Sequence, residues 1–298
     1  MKVLSQFSAR PAMDGDGVNI RRVADFTNTK FDPFLMMDEI KSDDEQDFIG
    51  GFPPHPHRGI ETFTYIRKGG FEHRDHLGNV KAIRAKDVQW MSTGSGVIHS
   101  EMPLADTDEG LHGFQIWVNM PAKDKMRPAR YQDTSETLNP EVSNNTGATL
   151  RALAGDWEFS GQEKISAPIQ GLAGGAAIAD LDLGPDAITE LVLKQHDFVG
   201  LYLYQGTLSS THINTGKNTD RDNNKEAKQY IEGQYLILDS QTLLQMQAGS
   251  DGAGLLLFAG KPIKEDIVHM GPFVMNTQAE IQQAVEDYQA GHFGEIPA

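Results

Sequence analysis

The 298-residue sequence contains no cysteine. Disulfide staples, zinc–thiolate sites and thiol nucleophiles are therefore excluded, and a reducing, cytoplasmic home is expected. Positive charge is also scarce: 26 Lys and Arg stand against 42 Asp and Glu, for a net charge of −16. A surface of that sign repels phosphate backbones, so direct nucleic-acid binding is not expected. No run approaches the roughly 18 to 20 consecutive apolar residues of a membrane-spanning helix. The longest apolar stretches, such as Leu255 to Ala259, have the length of a buried strand. After Lys2 the chain turns polar at Ser5 and Gln6, so neither a membrane segment nor a signal peptide is expected. What remains is an ordinary globular composition, 39% apolar and 23% charged, in a chain long enough for about two domains of roughly 150 residues.

Short strand-like runs recur in the first half, at 61–66, 80–84, 88–91 and 114–118. Turn signals such as Lys68-Gly69-Gly70 and Gly78-Asn79 separate them, the rhythm of an all-β sandwich or barrel. A polar stretch, Gln132 to Gly147, reads as a solvated linker. Beyond it the pattern returns: the run from Thr62 to Gly70 has a counterpart from Val199 to Thr207, and the run from Ala85 to Met91 one from Ile231 to Ile237. Two barrels of similar design are expected, residues 1–132 and residues 133–298. A polar insert, Ser209 to Gln229, reads as a loop decorating the second. At the far end Thr277-Gln-Ala-Glu280 is a capping box, followed by Ile281, Ala284, Val285 and Tyr288 at helical spacing and a stop at Gly291. A short C-terminal helix is expected, with Glu280 as its cap and not as a catalyst.

Six of the ten histidines (55, 57, 73, 76, 99 and 112) precede the linker. Two pairs alternate: His55-Pro-His57 and His99-Ser-Glu101. In an extended strand, residues i and i+2 share a face about 6.5 Å apart, so each pair aims two donors into one space. Pro54 and Pro56 favour extended backbone before them. With the two strands facing each other across a barrel, His55, His57, His99 and Glu101 would form a four-ligand site. Three imidazoles and one carboxylate suit one divalent ion, Fe(II), Mn(II), Ni(II), Cu(II) or Zn(II), with coordination positions left over for substrate or O₂. Arg58 has the opposite parity and should point elsewhere. Glu61 shares strand parity with His57 and either joins the site or packs away from it. His73 and His76 surround a hairpin and could gate a pocket, but read first as solvated turn residues; Trp90, Trp117 and Phe114 read as strand-core aromatics, some of which could wall the metal. The second half keeps only Gln195-His196-Asp197 and the apolar run Leu255 to Phe258, so one metal per chain, in the first barrel, is expected.

These residues carry a resemblance. DPFLMMDE (Asp32 to Glu39), GFPPHPHRGIETFTY (Gly51 to Tyr65), FEHRDHLGN (Phe71 to Asn79), DVQWMSTGSGVIHSEMP (Asp87 to Pro103), LHGFQIWVNMP (Leu111 to Pro121) and GPFVMNT (Gly271 to Thr277) are similar to the pirin family of the cupin superfamily. The resemblance implies a bicupin, two jelly-roll barrels with metal, usually iron, in the N-terminal one only. It carries the ligand roles onto His55, His57, His99 and Glu101, whereas ordinary cupins use the acid at the place of Glu61. His76 stands where Ser is common, and the Ser209 to Gln229 insert is long for the family. Two functions of different class follow from the resemblance. One is a quercetin 2,3-dioxygenase: the metal binds a flavonol through its deprotonated 3-hydroxyl, Glu101 assists that proton transfer, and O₂ cleaves the central ring with loss of CO. The other is a non-enzymatic, redox-responsive regulator that binds a transcription factor or a metabolic enzyme.

Overall fold

The computed structural model describes residues 1–105, 110–159, 164–210 and 228–297. Residues 211–227 of the polar insert lie outside the described residues. The chain forms two compact units. The leading unit comprises Ala9–Asn139, Pro168–Ala176 and Lys261–Ala298; the trailing unit comprises Met1–Ser8, Pro140–Ala167 and Ala177–Gly260. This division differs from a single cut near residue 132. The first strand, β1 (Val3–Ser8), pairs antiparallel with Gln234–Leu238 deep in the sequence and so belongs to the trailing unit. The C-terminal helix packs in the leading unit.

The leading unit carries eleven strands in two main sheets, besides a two-stranded ribbon of Val268–Met270 with Phe273–Met275. In chain order they are β2 (Arg10–Asp14), β3 (Val18–Ala24), β4 (Phe34–Ser42), β5 (Phe52–His57), β6 (Ile60–Lys68), β7 (Gly70–Asp75), β8 (Val80–Arg84), β9 (Val88–Ser92), β10 (Val97–Pro103), β11 (Leu111–Asn119) and β12 (Arg130–Asp133). The larger sheet runs β12-β9-β6-β11-β4-β3-β2 and the smaller β5-β10-β7-β8. Ile20, Ile40, Ile66 and Leu111 from the first pack with Phe71 and Ile83 from the second in one buried cluster, so the inner faces of the two sheets make the core. In β7 the alternation is plain: Phe71, His73 and Asp75 are buried while Glu72 and Arg74 are less so.

The polar stretch after β12 is only partly a linker. Thr134 and Val88 exchange two hydrogen bonds at the edge of β9, and Asn139 donates to the Lys86 carbonyl at 2.8 Å. Polar side chains here satisfy strand-edge backbone groups, which a composition count reads as loop.

In the trailing unit one nine-stranded sheet curls around an interior of Leu, Ala and Val side chains, among them Leu181, Leu201, Leu236 and Leu257. The internal repeat survives as topology. β6 pairs antiparallel with β9, and its counterpart, Phe198–Ser210, pairs antiparallel with Gln234–Leu238. No helix among the described residues is long and apolar enough to cross a membrane.

Helix α1 (Gln278–Gln289) starts as expected. Thr277 Oγ1 accepts from Glu280 N–H at 3.2 Å, and the Glu280 carboxylate accepts from Thr277 N–H at 2.8 Å. Gly291, with φ of 77°, follows its last turn. Ile281 and Ala284 bury its inner face with Phe273 and Phe293. Thr277→Ala is expected to lower stability by about 1 kcal/mol in chemical denaturation, the usual cost of losing an N-cap; an unchanged midpoint would mean the cap is redundant.

Candidate metal centre

The centre is built on three neighbouring strands. β10 lies between β5 and β7 and pairs antiparallel with both. His99 stands directly opposite His55 on one side and Asp75 on the other, and Glu101 stands opposite His73. The two pairs thus sit on adjacent hydrogen-bonded strands of one sheet and do not face each other across the barrel. The three imidazoles come together all the same. The His55, His57 and His99 rings lie 4.8, 4.4 and 5.0 Å apart, and their donor atoms fall within 4.8 Å of one another. Glu101 shares a second group of the same tightness with His99 and His73.

The double proline shapes the site. Between His99 and Glu101 the pairing with β5 slips by one residue, so that Glu101 stands opposite Phe52, whereas the pairing with β7 stays regular. The extra residue falls at Pro53-Pro54, where neither nitrogen can donate to the ladder. Pro53's carbonyl accepts from His55 Nδ1 at 2.8 Å. That bond places the imidazole proton on Nδ1 and leaves the Nε2 lone pair for a ligand.

Burial sets the electrostatics. His57 and His99 are buried, and burial first, then the neighbouring His55, holds both well below the ordinary histidine range. Neutral imidazole is the form that binds a metal. His99 has no hydrogen-bond partner at either ring nitrogen, although the residue is wholly buried. Unpaired polar atoms in a dry interior are costly, and an ion supplies what they lack. Glu101 Oε1 accepts from Thr64 Oγ1 at 3.0 Å and Gln89 Nε2 at 2.9 Å. Thr64 has one hydroxyl proton and also lies 2.6 Å from the Gln115 amide. With that proton given to the carboxylate, the amide must turn its NH₂ toward Thr64. The donor set therefore fits a divalent cation: three imidazoles, two of them held neutral by burial, and an acid held on one oxygen.

A cavity of about 570 Å³ opens onto His55, His57 and Glu101. Phe26, Met36, Ile40, Phe52 and Trp117 supply its apolar wall. Trp117 stands edge-on to His57 at 5.1 Å, and Phe26 stacks on His269 at 4.1 Å. Arg22, clamped by two bonds to Asp38 and one to Asp14, forms a polar margin.

Arg58 points away, donating to the Ser95 carbonyl and to Asp287 and lying over the Phe293 ring. Glu61 also turns away: Arg127 and the Ala173 amide donate to its two oxygens at 3.0 and 2.9 Å. Its parity with His57 fails because Gly59, with φ of 82°, interrupts the strand between them. Phe114 is core, stacked on Tyr65. His76 accepts from Ile98 N–H, and His112 lies 2.9 Å from Glu39, both outside the cluster. His73 is not a solvated hairpin residue. It is wholly buried in β7, stacked on Tyr131 at 4.7 Å and 5.5 Å from the His99 ring. The alternation of Phe71, His73 and Asp75 was the signal that could have found it.

Known proteins share this fold. The family model described as Pirin matches residues 17–118, and that of the Pirin C-terminal cupin domain matches residues 178–294. A Vibrio cholerae protein named as a candidate quercetin 2,3-dioxygenase is 44% identical over 96% of this chain and 95% of its own. Human pirin is 31% identical over 97% of this chain and 92% of its own. Among solved structures, a quercetin 2,3-dioxygenase from Acinetobacter baumannii superposes with a TM-score of 0.82 at 27% identity, covering 99% of both chains. The fold is also that of an Escherichia coli pirin solved in complex with nickel(II), at a TM-score of 0.59 and 18% identity over 87% of this chain and all of that one.

Glu61 provides a pH test. Burial, only partly offset by the Ala173 amide and Arg127, raises its carboxyl from 4.5 to about 7. A raised folded-state value stabilises in full below about 4.5, and that stabilisation is lost as pH rises through about 7. Relative to Glu61→Gln, the wild type is expected to lose about 3 kcal/mol between those limits. Denaturation of both proteins across that range checks it; a constant difference would mean that Glu61 stays ionised throughout.

Proposed function

The chain belongs to the pirin family of bicupins, and from that premise we propose that its leading barrel holds one divalent metal, Fe(II), on His55, His57, His99 and Glu101, and serves as a flavonol-cleaving dioxygenase. The observation that carries the reading is an apolar, aromatic-walled cavity that ends on His57, whose buried imidazole is held neutral and keeps Nδ1 unpaired. Mn(II), Ni(II), Cu(II) and Zn(II) suit the same donors, since affinity order alone does not select among them. The ion, when bound, supplies Lewis acidity for the substrate's 3-oxygen and the redox chemistry that O₂ requires.

The remaining work falls to side chains. Trp117, Phe26 and Met36 bind the planar rings of a flavonol such as quercetin and exclude water from the cavity. Glu101 reaches the same cavity and takes the proton of the 3-hydroxyl. Thr64 and Gln89, both donating to Oε1, hold that carboxylate in register with the imidazoles. A cysteine-free chain suits the reducing cytoplasm in which such an enzyme would work.

Metal analysis of protein purified without added metal is expected to find about one ion per chain. His57→Ala and Glu101→Gln are expected to drop it to background, with Glu61→Gln unchanged. Retention by His57→Ala would overturn the ligand assignment.

For activity, iron- or copper-loaded protein incubated with quercetin in air is expected to bleach the flavonol absorbance, and Glu101→Gln, which loses the ion together with the proton acceptor, to bleach it no faster than the metal-free protein. No turnover with any loaded metal would defeat the enzyme reading and favour a regulator. Pull-downs with the Fe(II) and Fe(III) forms would then test that alternative.

A further inference from the structure

His73 and Asp75 are used by nothing described so far, yet both are wholly buried. Asp75 is tightly fixed. Its Oδ1 accepts from the Leu77 and Asn79 amides at 2.9 and 3.0 Å, and its Oδ2 accepts from Asn79 Nδ2 at 2.8 Å. Oδ2 also meets His73 Nε2 at 3.1 Å. A carboxylate can only accept, so that imidazole carries its proton on Nε2, and Nδ1 is left as an acceptor. His73 Nδ1 has no partner.

Four ring nitrogens in this dry pocket are thus unpaired: His57 Nδ1, His73 Nδ1, His99 Nδ1 and His99 Nε2. One ion, taking His57 Nδ1 and one nitrogen of His99, and one hydrogen bond between the other His99 nitrogen and His73 would account for all four. The strand order assigns them, because β10 sits between β5 and β7. His55 and His57 lie on one side of His99 and His73 on the other. The cavity opens on the first side, lined by both β5 histidines but not by His73.

We propose that His73, held by Asp75, is a positioning residue that accepts the ring N–H of His99 and so fixes which His99 nitrogen faces the metal. The donor atoms of His73, His99 and Glu101 lie within 4.8 Å of one another, and rotation of an imidazole about its soft second side-chain torsion brings two of them together. Stacking on Tyr131 holds the His73 ring in place. The inference rests on the metal reading above and assigns a role outside the ligand set. Metal-bound histidines generally need such a partner, and its loss weakens metal binding about 10- to 100-fold.

The test uses Ni(II) and the full-length protein. His73→Phe keeps the ring and its stacking but removes the acceptor. It is expected to weaken Ni(II) affinity about 10- to 100-fold in calorimetric titration. X-ray absorption should find the same number of histidine ligands as in the wild type. His73→Gln, which restores an acceptor, should recover part of the affinity. Equal affinity in His73→Phe would overturn the proposal, and so would the loss of one histidine from the coordination shell, which would make His73 a ligand. A wild type that binds no Ni(II), Fe(II) or Zn(II) would instead remove the metal reading and this role with it. A measurement on the wild type needs no variant to fold: long-range ¹H–¹⁵N spectra of the Zn(II)-loaded protein should show His73 protonated at Nε2, with Nδ1 as acceptor. Protonation at Nδ1 would overturn the proposal.

Discussion

The register of β10 against its two neighbours is the constraint from which the rest of the site follows. Side chains alternate along a strand, so a slip of one residue would turn His99 and Glu101 outward and bring Ile98 and Ser100 in. The regular pairing with β7 fixes that register over five consecutive residues, from His99 against Asp75 to Pro103 against Phe71. With the register set, His99 has no choice of company. It sits among imidazoles from both sides, beyond the reach of water and without a hydrogen bond of its own. A chain that folds this way carries an energetic debt which a bound cation would relieve, and metal affinity and fold stability would then be coupled.

The two barrels show how little need change for one to carry a histidine cluster and the other a packed core. Both set their counterpart strands side by side in the same antiparallel sense. In the trailing unit the inward positions carry Leu, Ala and Val, and burial of apolar surface alone stabilises them. In the leading unit part of that apolar filling gives way to Thr64, Gln89, Gln115 and the histidines. Packing energy is surrendered there for a set of donors that satisfy one another and a carboxylate.

Much of this was legible in the sequence, for a physical reason. Period-two alternation survives folding wherever the backbone stays extended, so His55, His57, His99 and Glu101 could be placed on shared faces from spacing alone. The same rule failed at Glu61, because the chain leaves the extended region at Gly59 and the count of faces restarts at Ile60. His73 was misread because a hairpin flanked by charged residues looks solvated; Glu72 and Arg74 take the outer face and pair with each other, leaving His73 inside. Domain boundaries were the least legible. β1 and the C-terminal segment reach their partners across most of the chain, and no local pattern records a contact of that separation.

The C-terminal segment illustrates how such a distant piece bears on the site. Arg58, the residue after His57, is bridged to the backbone of Pro272 and Val274, and its guanidinium lies between Asp287 and Phe293. One position further on, the Gly59 carbonyl accepts from Lys125 Nζ, which also donates to Val274 and to the Asn119 side chain. Burial lowers that ammonium to about 8, yet three acceptors hold it in place. The exit of β5 is therefore clamped by groups drawn from the far end of the chain, while its entry is bent by Pro53 and Pro54. A strand bulged at one end and clamped at the other leaves His55 and His57 little freedom to move apart. Fixed donor geometry of that kind lets a site bind an ion without first paying to order its own side chains.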